Sequence, residues 1–185
     1  MKSKNCWVIA LGEQSFFWEE CRKGNFIVIG WGKYGDPSKY HTYEELKEHL
    51  INLDFSDMTP IKIGNMASQI WKFTKIMDEK DIVIVRRGQS RILEIGKVKS
   101  KQYYDSAKLS YEIKSEYYSP NIDDYKNAYS TIRDVTWLAN FPPEGIEVSK
   151  HQDWIRTLIE IKDEKLKILL SELENYDISL DVLNE

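Results

Sequence analysis

Residues 81–98 constrain the fold more than any other stretch. Asp81-Ile-Val-Ile-Val85 is a continuous β-branched run, Arg86-Arg-Gly-Gln-Ser-Arg91 is a tight turn sequence, and Ile92-Leu-Glu-Ile-Gly-Lys-Val98 returns with partial alternation. A run of this length and composition, closed by a Gly-containing turn, predicts a β-hairpin with a buried first strand. Gly96 predicts a bulge in the returning strand.

The remaining runs fit around that hairpin. Cys6-Trp-Val-Ile-Ala10 and Phe26-Ile-Val-Ile29 read as strands, and Ile132 to Leu138 as another. Ser15 is placed to cap a short helix through Phe17, Trp18 and Cys21 that stops at Gly24. Thr42-Tyr-Glu-Glu45 is a capping box opening a helix with Tyr43, Leu46, Leu50 and Leu53 on one face. After a connector over 54–60, Asn65 is placed to cap a helix with Met66, Ile70, Phe73 and Met77 as its stripe. Leu109 to Lys114 reads as a strand within an otherwise irregular tyrosine-rich segment. Ser149 is placed to cap a long final helix bearing Trp154, Leu158, Ile161, Ile168 or Leu169, and Leu173. The resulting order, β-α-β-α-α-β-β-(β)-β-α, predicts an α+β fold: a small twisted sheet or open barrel flanked by helices, with a long C-terminal helix. Residues 1–148 form the main domain on this reading, and 149–185 the helix and the start of a linker.

One strand ends unusually. Phe26–Ile29 runs into Gly30-Trp31-Gly32, a large aromatic between two residues without side chains. The glycines let the backbone bend and let something come close. Trp31 then either caps the core at the sheet edge or presents a ring face to a flat ligand.

Composition narrows the function. The net charge of −4 argues against a nonspecific nucleic-acid coat, which needs a net basic surface. A local basic footprint stays open, because most of the excess acid follows Asp153. Two cysteines, Cys6 and Cys21, make no disulfide framework or metal-ligand spacing, which predicts a reducing, cytoplasmic setting. No apolar run nears the ~20 residues of a membrane span. The abundance of Lys, Glu and Ile suits a heat-loving source.

Catalytic patterns are missing from the sequence. It has no P-loop, no Rossmann glycine pattern and no H-E-x-x-H. His41, His49 and His151 are scattered, and two of them read as solvated residues at helix boundaries or on helix surfaces. This silence predicts a binding module without cofactor or metal.

Aromatic and basic residues are well represented. Seven tyrosines fall between Lys101 and Tyr129, most of them read as half-buried sheet residues. Arg86, Arg87 and Arg91 cluster at the hairpin turn, and Lys33 follows Trp31. Stacking can hold an unstacked base while Arg and Lys hold the flanking phosphates. Unpairing a base costs a few kcal/mol, and stacking on an aromatic returns ~1–3 kcal/mol, so phosphate contacts must supply the rest. Base identity would be read by backbone groups near Gly12 and Gly30 and by Glu13, Ser15 and Asn65, the last of which also fits helix capping.

Taken together, Trp7-Val-Ile-Ala-Leu-Gly12, Phe17-Trp-Glu-Glu-Cys21 with Gly24, and Ile27-Val-Ile-Gly-Trp-Gly32 with Gly35-Asp-Pro-Ser-Lys-Tyr40 resemble the opening of the EVE family of the PUA superfamily. Asn65 to Phe73, Asp81 to Val85, Ile92 to Val98 and Val135-Thr-Trp-Leu138 continue the pattern in order, so the resemblance spans roughly residues 6 to 140. It implies a PUA-like fold related to YTH domains, which read N6-methyladenine. In that pattern Trp31 falls at one wall of an aromatic cage, and Tyr104, Tyr117 and Tyr118 are the candidates for a second wall. The turn at Leu11-Gly12-Glu13 falls where YTH domains bond the base edge. Similar domains open archaeal McrB-like proteins, the GTP-driven subunits of modification-dependent restriction systems. The resemblance therefore implies a non-enzymatic, monomeric recognition domain for methylated DNA, fused to a downstream GTPase motor that oligomerises. An RNA reader of a modified nucleotide, a 5-methylcytosine reader and an aromatic protein-interaction surface are the alternatives.

Overall fold

The computed structural model describes residues 4–53, 58–110, 112, 114 and 128–173. In chain order its elements are β1 (Cys6–Ile9), α1 (Trp18–Gly24), β2 (Phe26–Ile29), α2 (Tyr43–Asn52), α3 (Pro60–Trp71), β3 (Ile82–Arg87), β4 (Arg91–Val98), β5 (Tyr103–Tyr104), β6 (Thr131–Trp137), β7 (Ile146–Glu147), β8 (Leu158–Ile161) and α4 (Asp163–Leu173). The fold is α+β, as predicted. It divides into two compact units, the first drawn from residues 1–27, 78–100 and 134–185 and the second from 28–77 and 101–133. β2 and β6 each have residues in both units.

In the first unit the strands lie in the order β6-β4-β3-β1-β8, with β7 also on β4. The predicted hairpin is there: β3 and β4 pair antiparallel, Ile84 opposite Ile95. β1 lies parallel to β3 on its other side, Cys6 opposite Ile82. Val8, Ile82, Ile84, Ile92, Ile95, Phe141, Trp154 and Leu169 make the core between sheet and α4. Buried Asp81 joins β1 to the start of β3, accepting from the amide of Asn5 at 3.0 Å, the indole of Trp7 at 2.8 Å and the amide of Asp78 at 3.0 Å. Buried Glu94 accepts from the amides of Ile95, Ala139 and Phe141 at 2.9, 3.1 and 3.2 Å, fixing the chain as it leaves β6.

Several expectations need correction here. The bulge lies between Val85 and Arg86, not at Gly96. Gly96 is small because the Trp137 ring lies against it: a Cβ there would stand 2.8 Å from the indole. Ser15 does not cap a helix. It ends a 3-10 turn over Glu13–Ser15, and α1 starts only at Trp18. The final helix starts at Asp163, not near Ser149. Leu158–Ile161 is instead β8, antiparallel to β1, and Trp154 is buried in a loop with His151 stacked on it at 4.3 Å. Trp154, Leu158 and Ile161 suit a helical stripe, but the N–H and C=O groups along the edge of β1 are paired by Leu158–Ile161 as a strand.

The second unit holds α2, α3 and β5. The capping box of α2 forms as predicted: Thr42 accepts from Glu45 N at 3.2 Å, and the Glu45 carboxylate accepts from Thr42 N at 3.3 Å and His41 N at 2.8 Å. Those amides hold the Glu45 carboxyl below the usual carboxylate range. Asn65 does not cap α3. Thr59 does, accepting from Lys62 N at 3.3 Å, with Pro60 at the first helical position, where its missing N–H costs nothing. Met66, Ile70, Phe73 and Met77 are all buried, as their spacing predicts. After Trp71 the helix widens into a π-turn over Lys72–Ile76, and Arg133 closes it, donating to the carbonyls of Phe73, Thr74 and Met77 at 2.8, 3.2 and 2.7 Å. Of the expected strand at Leu109–Lys114, none of the described residues is in a strand. Lys114 N donates to Ser110 O at 3.2 Å, a helical bond, while Tyr103–Tyr104 pairs with Thr131–Ile132 as β5.

Candidate functional site

The loop between β2 and α2 is short of regular structure yet closely tied. Trp31 takes a left-handed backbone, φ 70° and ψ 4°, a conformation that bulky side chains rarely adopt. Its carbonyl accepts from Tyr34 N at 3.0 Å and that of Gly32 from Gly35 N at 3.0 Å, closing a 3-10 turn over Gly32–Tyr34. Gly35 follows at φ 96°. Asp36 then caps a second turn over Pro37–Lys39, accepting from Ser38 N at 2.9 Å and the Ser38 hydroxyl at 2.7 Å. Lys75 reaches the carbonyl of Ser38 at 3.0 Å. The chain is thus held at every second or third residue from Trp31 to Thr42.

This loop forms one side of an open pocket lying wholly in the second unit. Gly30, Trp31, Tyr34, Gly35, Pro37 and Tyr40 line it from the loop, Leu46, His49 and Leu50 from α2, Ile70 from α3 and Thr131 from the start of β6. Its cavity volume is about 10 Å³, room for roughly one water and far below the ~300–1,000 Å³ usual for drug-sized ligands. Trp31 is half-buried, with one part in the pocket wall. The His49 ring leans on Tyr40, centroids 5.2 Å apart and planes inclined 34°. Burial raises the Tyr40 phenol above its ordinary value, so it stays protonated as a donor.

Trp31 and Gly30 are the predicted site residues that meet in this pocket. Tyr104 lies next to it and donates its hydroxyl to Gly32 O at 2.7 Å; burial, opposed by a bond to Ser130, raises its phenol. Lys33 is exposed, its ammonium 5.1 Å from the Tyr34 ring centroid. Asn65 is exposed on α3, its carbonyl accepting from Gln69 Nε2 at 3.2 Å. Tyr117 and Tyr118 lie outside the described residues. The glycines around Trp31 are occupied by the protein's own rings: a Cβ on Gly30 would stand 3.4 Å from Tyr129, as Tyr104 binds Gly32.

Gly12, Glu13, Ser15, Arg86, Arg87 and Arg91 belong to the first unit. Gly12 sits at φ 84° in a tight turn, and Glu13 is exposed. The Ser15 hydroxyl is spent internally: it accepts from Leu11 N at 3.1 Å and donates to the Arg86 carbonyl. Arg86 is not a surface cation. Its side chain is buried and donates to the carbonyls of Gly88 and Arg156, and burial lowers its pKa to about 10. Arg87 is half-exposed, and Arg91 donates to Glu144 O at 3.2 Å and faces Glu147 at 3.8 Å.

Tyr34, Tyr40 and His49 are the wall residues that the sequence reading missed. Tyr34 and Tyr40 were visible as aromatics following the Gly-Trp-Gly exit. His49 had a signal too, since it sits one residue before Leu50 and three after Leu46 on the face that α2 buries. Among the described residues, no group of His, Cys, Asp and Glu could hold a metal ion, and no helix is long and apolar enough to cross a membrane.

Residues 7–162 match the family model described as "Domain of unknown function (DUF8426)". A solved structure described as "Structure of Hypothetical protein from Leishmania major" is 12% identical with a TM-score of 0.43, over 95% of this chain and 98% of that one. Neither description names an activity.

Proposed function

The chain belongs to the DUF8426 family, and on that premise we propose that it reads a methylated base in nucleic acid, taking the base out of its stack and into the pocket beside Trp31. One observation carries the reading. A half-buried indole whose residue has a left-handed backbone, in a loop bonded along its length, lines a small pocket together with Tyr34, Tyr40, His49 and aliphatic side chains. Backbone strain of this kind persists where the surroundings over-determine it, and it gathers at ligand clamps. The cavity as it stands holds about one water, so on this reading the loop and α2 must move apart as the base enters.

The energetics allow such a site. Extruding a base costs a few kcal/mol, and stacking on one aromatic face returns ~1–3 kcal/mol. Burying the methyl group adds ~0.8 kcal/mol, so apolar contact alone favours the methylated base by roughly fourfold. Lys33 and Lys39 are exposed on the pocket loop; on this reading they meet the phosphates that flank the extruded nucleotide.

N6-methyladenine in DNA is the proposed ligand, within a PUA-like, EVE/YTH-type fold. On this reading the chain supplies recognition in a modification-dependent restriction system and leaves GTPase and nuclease steps to partner domains. The test is a titration of matched methylated and unmethylated oligonucleotides, as DNA and as RNA, at two salt concentrations. Methyl-dependent, salt-sensitive binding to DNA is expected. A strong requirement for the ribose hydroxyl selects an RNA reader, and preference for 5-methylcytosine changes the base. Salt-independent binding, or none, overturns the reading.

A further inference from the structure

Resting on the reading of the pocket as a base site, we infer that His49 determines which base is accepted, through a hydrogen bond from its Nε2 to the base edge. His49 Nε2 is buried and has no hydrogen-bond partner, while its ring lines the pocket between Leu46 and Leu50. Native proteins pair nearly all their buried polar atoms, because leaving one unmatched costs the full penalty of removing it from water. A ligand that brings the missing partner removes that penalty; one that lacks it does not.

The other walls discriminate poorly. Leu46, Leu50, Ile70 and Pro37 are apolar, and a pocket of that kind separates ligands that differ by one methylene by only about 10–200-fold. Aromatic faces alone also suit a quaternary ammonium cation. Nε2 separates these classes. A neutral imidazole nitrogen either donates or accepts, complementing the ring nitrogen, carbonyl or amino group of a nucleobase, whereas a fully alkylated ammonium offers neither. Tyr40 leans on the His49 ring from the loop, centroids 5.2 Å apart. The ligand class is therefore a heteroaromatic base with a hydrogen-bonding edge, not a methylated cation.

The experiment uses the full chain, labelled with ¹⁵N in histidine, and duplex DNA carrying one N6-methyladenine or one 5-methylcytosine, with unmethylated controls. Affinities are measured for the wild type, His49→Phe, His49→Gln and Trp31→Ala. Phe keeps a ring beside Tyr40 but removes the hydrogen bond; Gln restores a donor and an acceptor. The expected result is a shift of the His49 Nε2 resonance on binding the preferred duplex. His49→Phe is expected to weaken that duplex about tenfold or more and erase the preference between bases, with partial recovery in His49→Gln. If His49→Phe keeps full affinity and preference while Trp31→Ala abolishes binding, the His49 inference falls and the base-reading proposal stands. If the wild type binds no duplex and the Nε2 resonance does not move, both fall together.

Discussion

The hydroxyl of Tyr104 donates to the carbonyl of Gly32 at 2.7 Å, so the turn that follows Trp31 is held from β5 by a side chain. On the other side of Trp31, the ring of Tyr129 packs against Gly30. Two tyrosines from the 101–133 segment therefore brace the residues flanking the indole. Tyr104→Phe keeps the ring and removes the bond. It is expected to cost about 1 kcal/mol in urea denaturation and to weaken binding of methylated DNA by loosening the turn. Unchanged stability in that variant would show that the bond contributes nothing.

Trp31 offers a direct test of backbone strain. A non-glycine residue at φ 70° carries a penalty that glycine avoids. Trp31→Gly is therefore expected to be more stable than Trp31→Ala by about 1 kcal/mol, the reverse of the order expected in a helix or strand. Both variants should lose methyl-dependent binding while keeping a cooperative melt. Wholesale unfolding of Trp31→Ala would assign the indole to the core instead.

The hairpin arginines should separate cleanly. Arg86→Ala strips the donors from two carbonyls and empties a buried site, an expected loss on the order of 2–4 kcal/mol. Arg87→Ala, on a half-exposed side chain, is expected to stay within about 0.5 kcal/mol. If Arg87 meets a phosphate, its removal lowers the slope of log affinity against log salt by about one. Equal destabilisation of the two variants would contradict the observed burial.

Alkaline pH should reveal Cys6. Burial, with Asp81 nearby, raises its thiol pKa from 9.0 to about 12. Below pH 9 the thiol is protonated whether the chain is folded or unfolded, and the full native stability is present. Between 9 and about 12 the unfolded chain loses this proton and the folded chain keeps it, so stability falls as pH rises. Each pH unit in that window is worth up to ~1.4 kcal/mol. Melting temperatures measured at about pH 8 and about pH 10 should fall less for Cys6→Ala than for the wild type; parallel falls would refute the linkage.

Local chemistry made much of the fold legible. Runs of β-branched residues marked β1, β2, β3, β4 and β6, and the Thr42–Glu45 capping box formed as read. The failures share a cause: each was decided by a partner distant in sequence. The bulge after Val85 breaks the two-residue alternation, so Arg86 turns inward although its position at a hairpin turn suggested a surface cation. Leu158–Ile161 became a strand because β1 had an edge to fill. Asn65 lost to Thr59 because the Thr-Pro pair, a stronger start signal, lay inside what read as a connector. At the site, Trp31 and its glycines were visible and His49 had a positional signal, but the packing of Tyr129 against Gly30 was not. Residue types show which groups are present; which way a ring on α2 faces depends on the loop packed beside it.

The pairing of β1 bears on how the chain is made. Its parallel partner β3 lies some seventy residues downstream, and its antiparallel partner β8 about one hundred and fifty, with Cys6 opposite Ile82 and Ile161. During synthesis β1 leaves the ribosome well before either partner and is therefore fully paired late, since β8 must emerge before its second edge closes. Chains cut short before Leu158 keep that apolar edge open to neighbours, which ties clean expression of any shortened form to retention of residues 158–161.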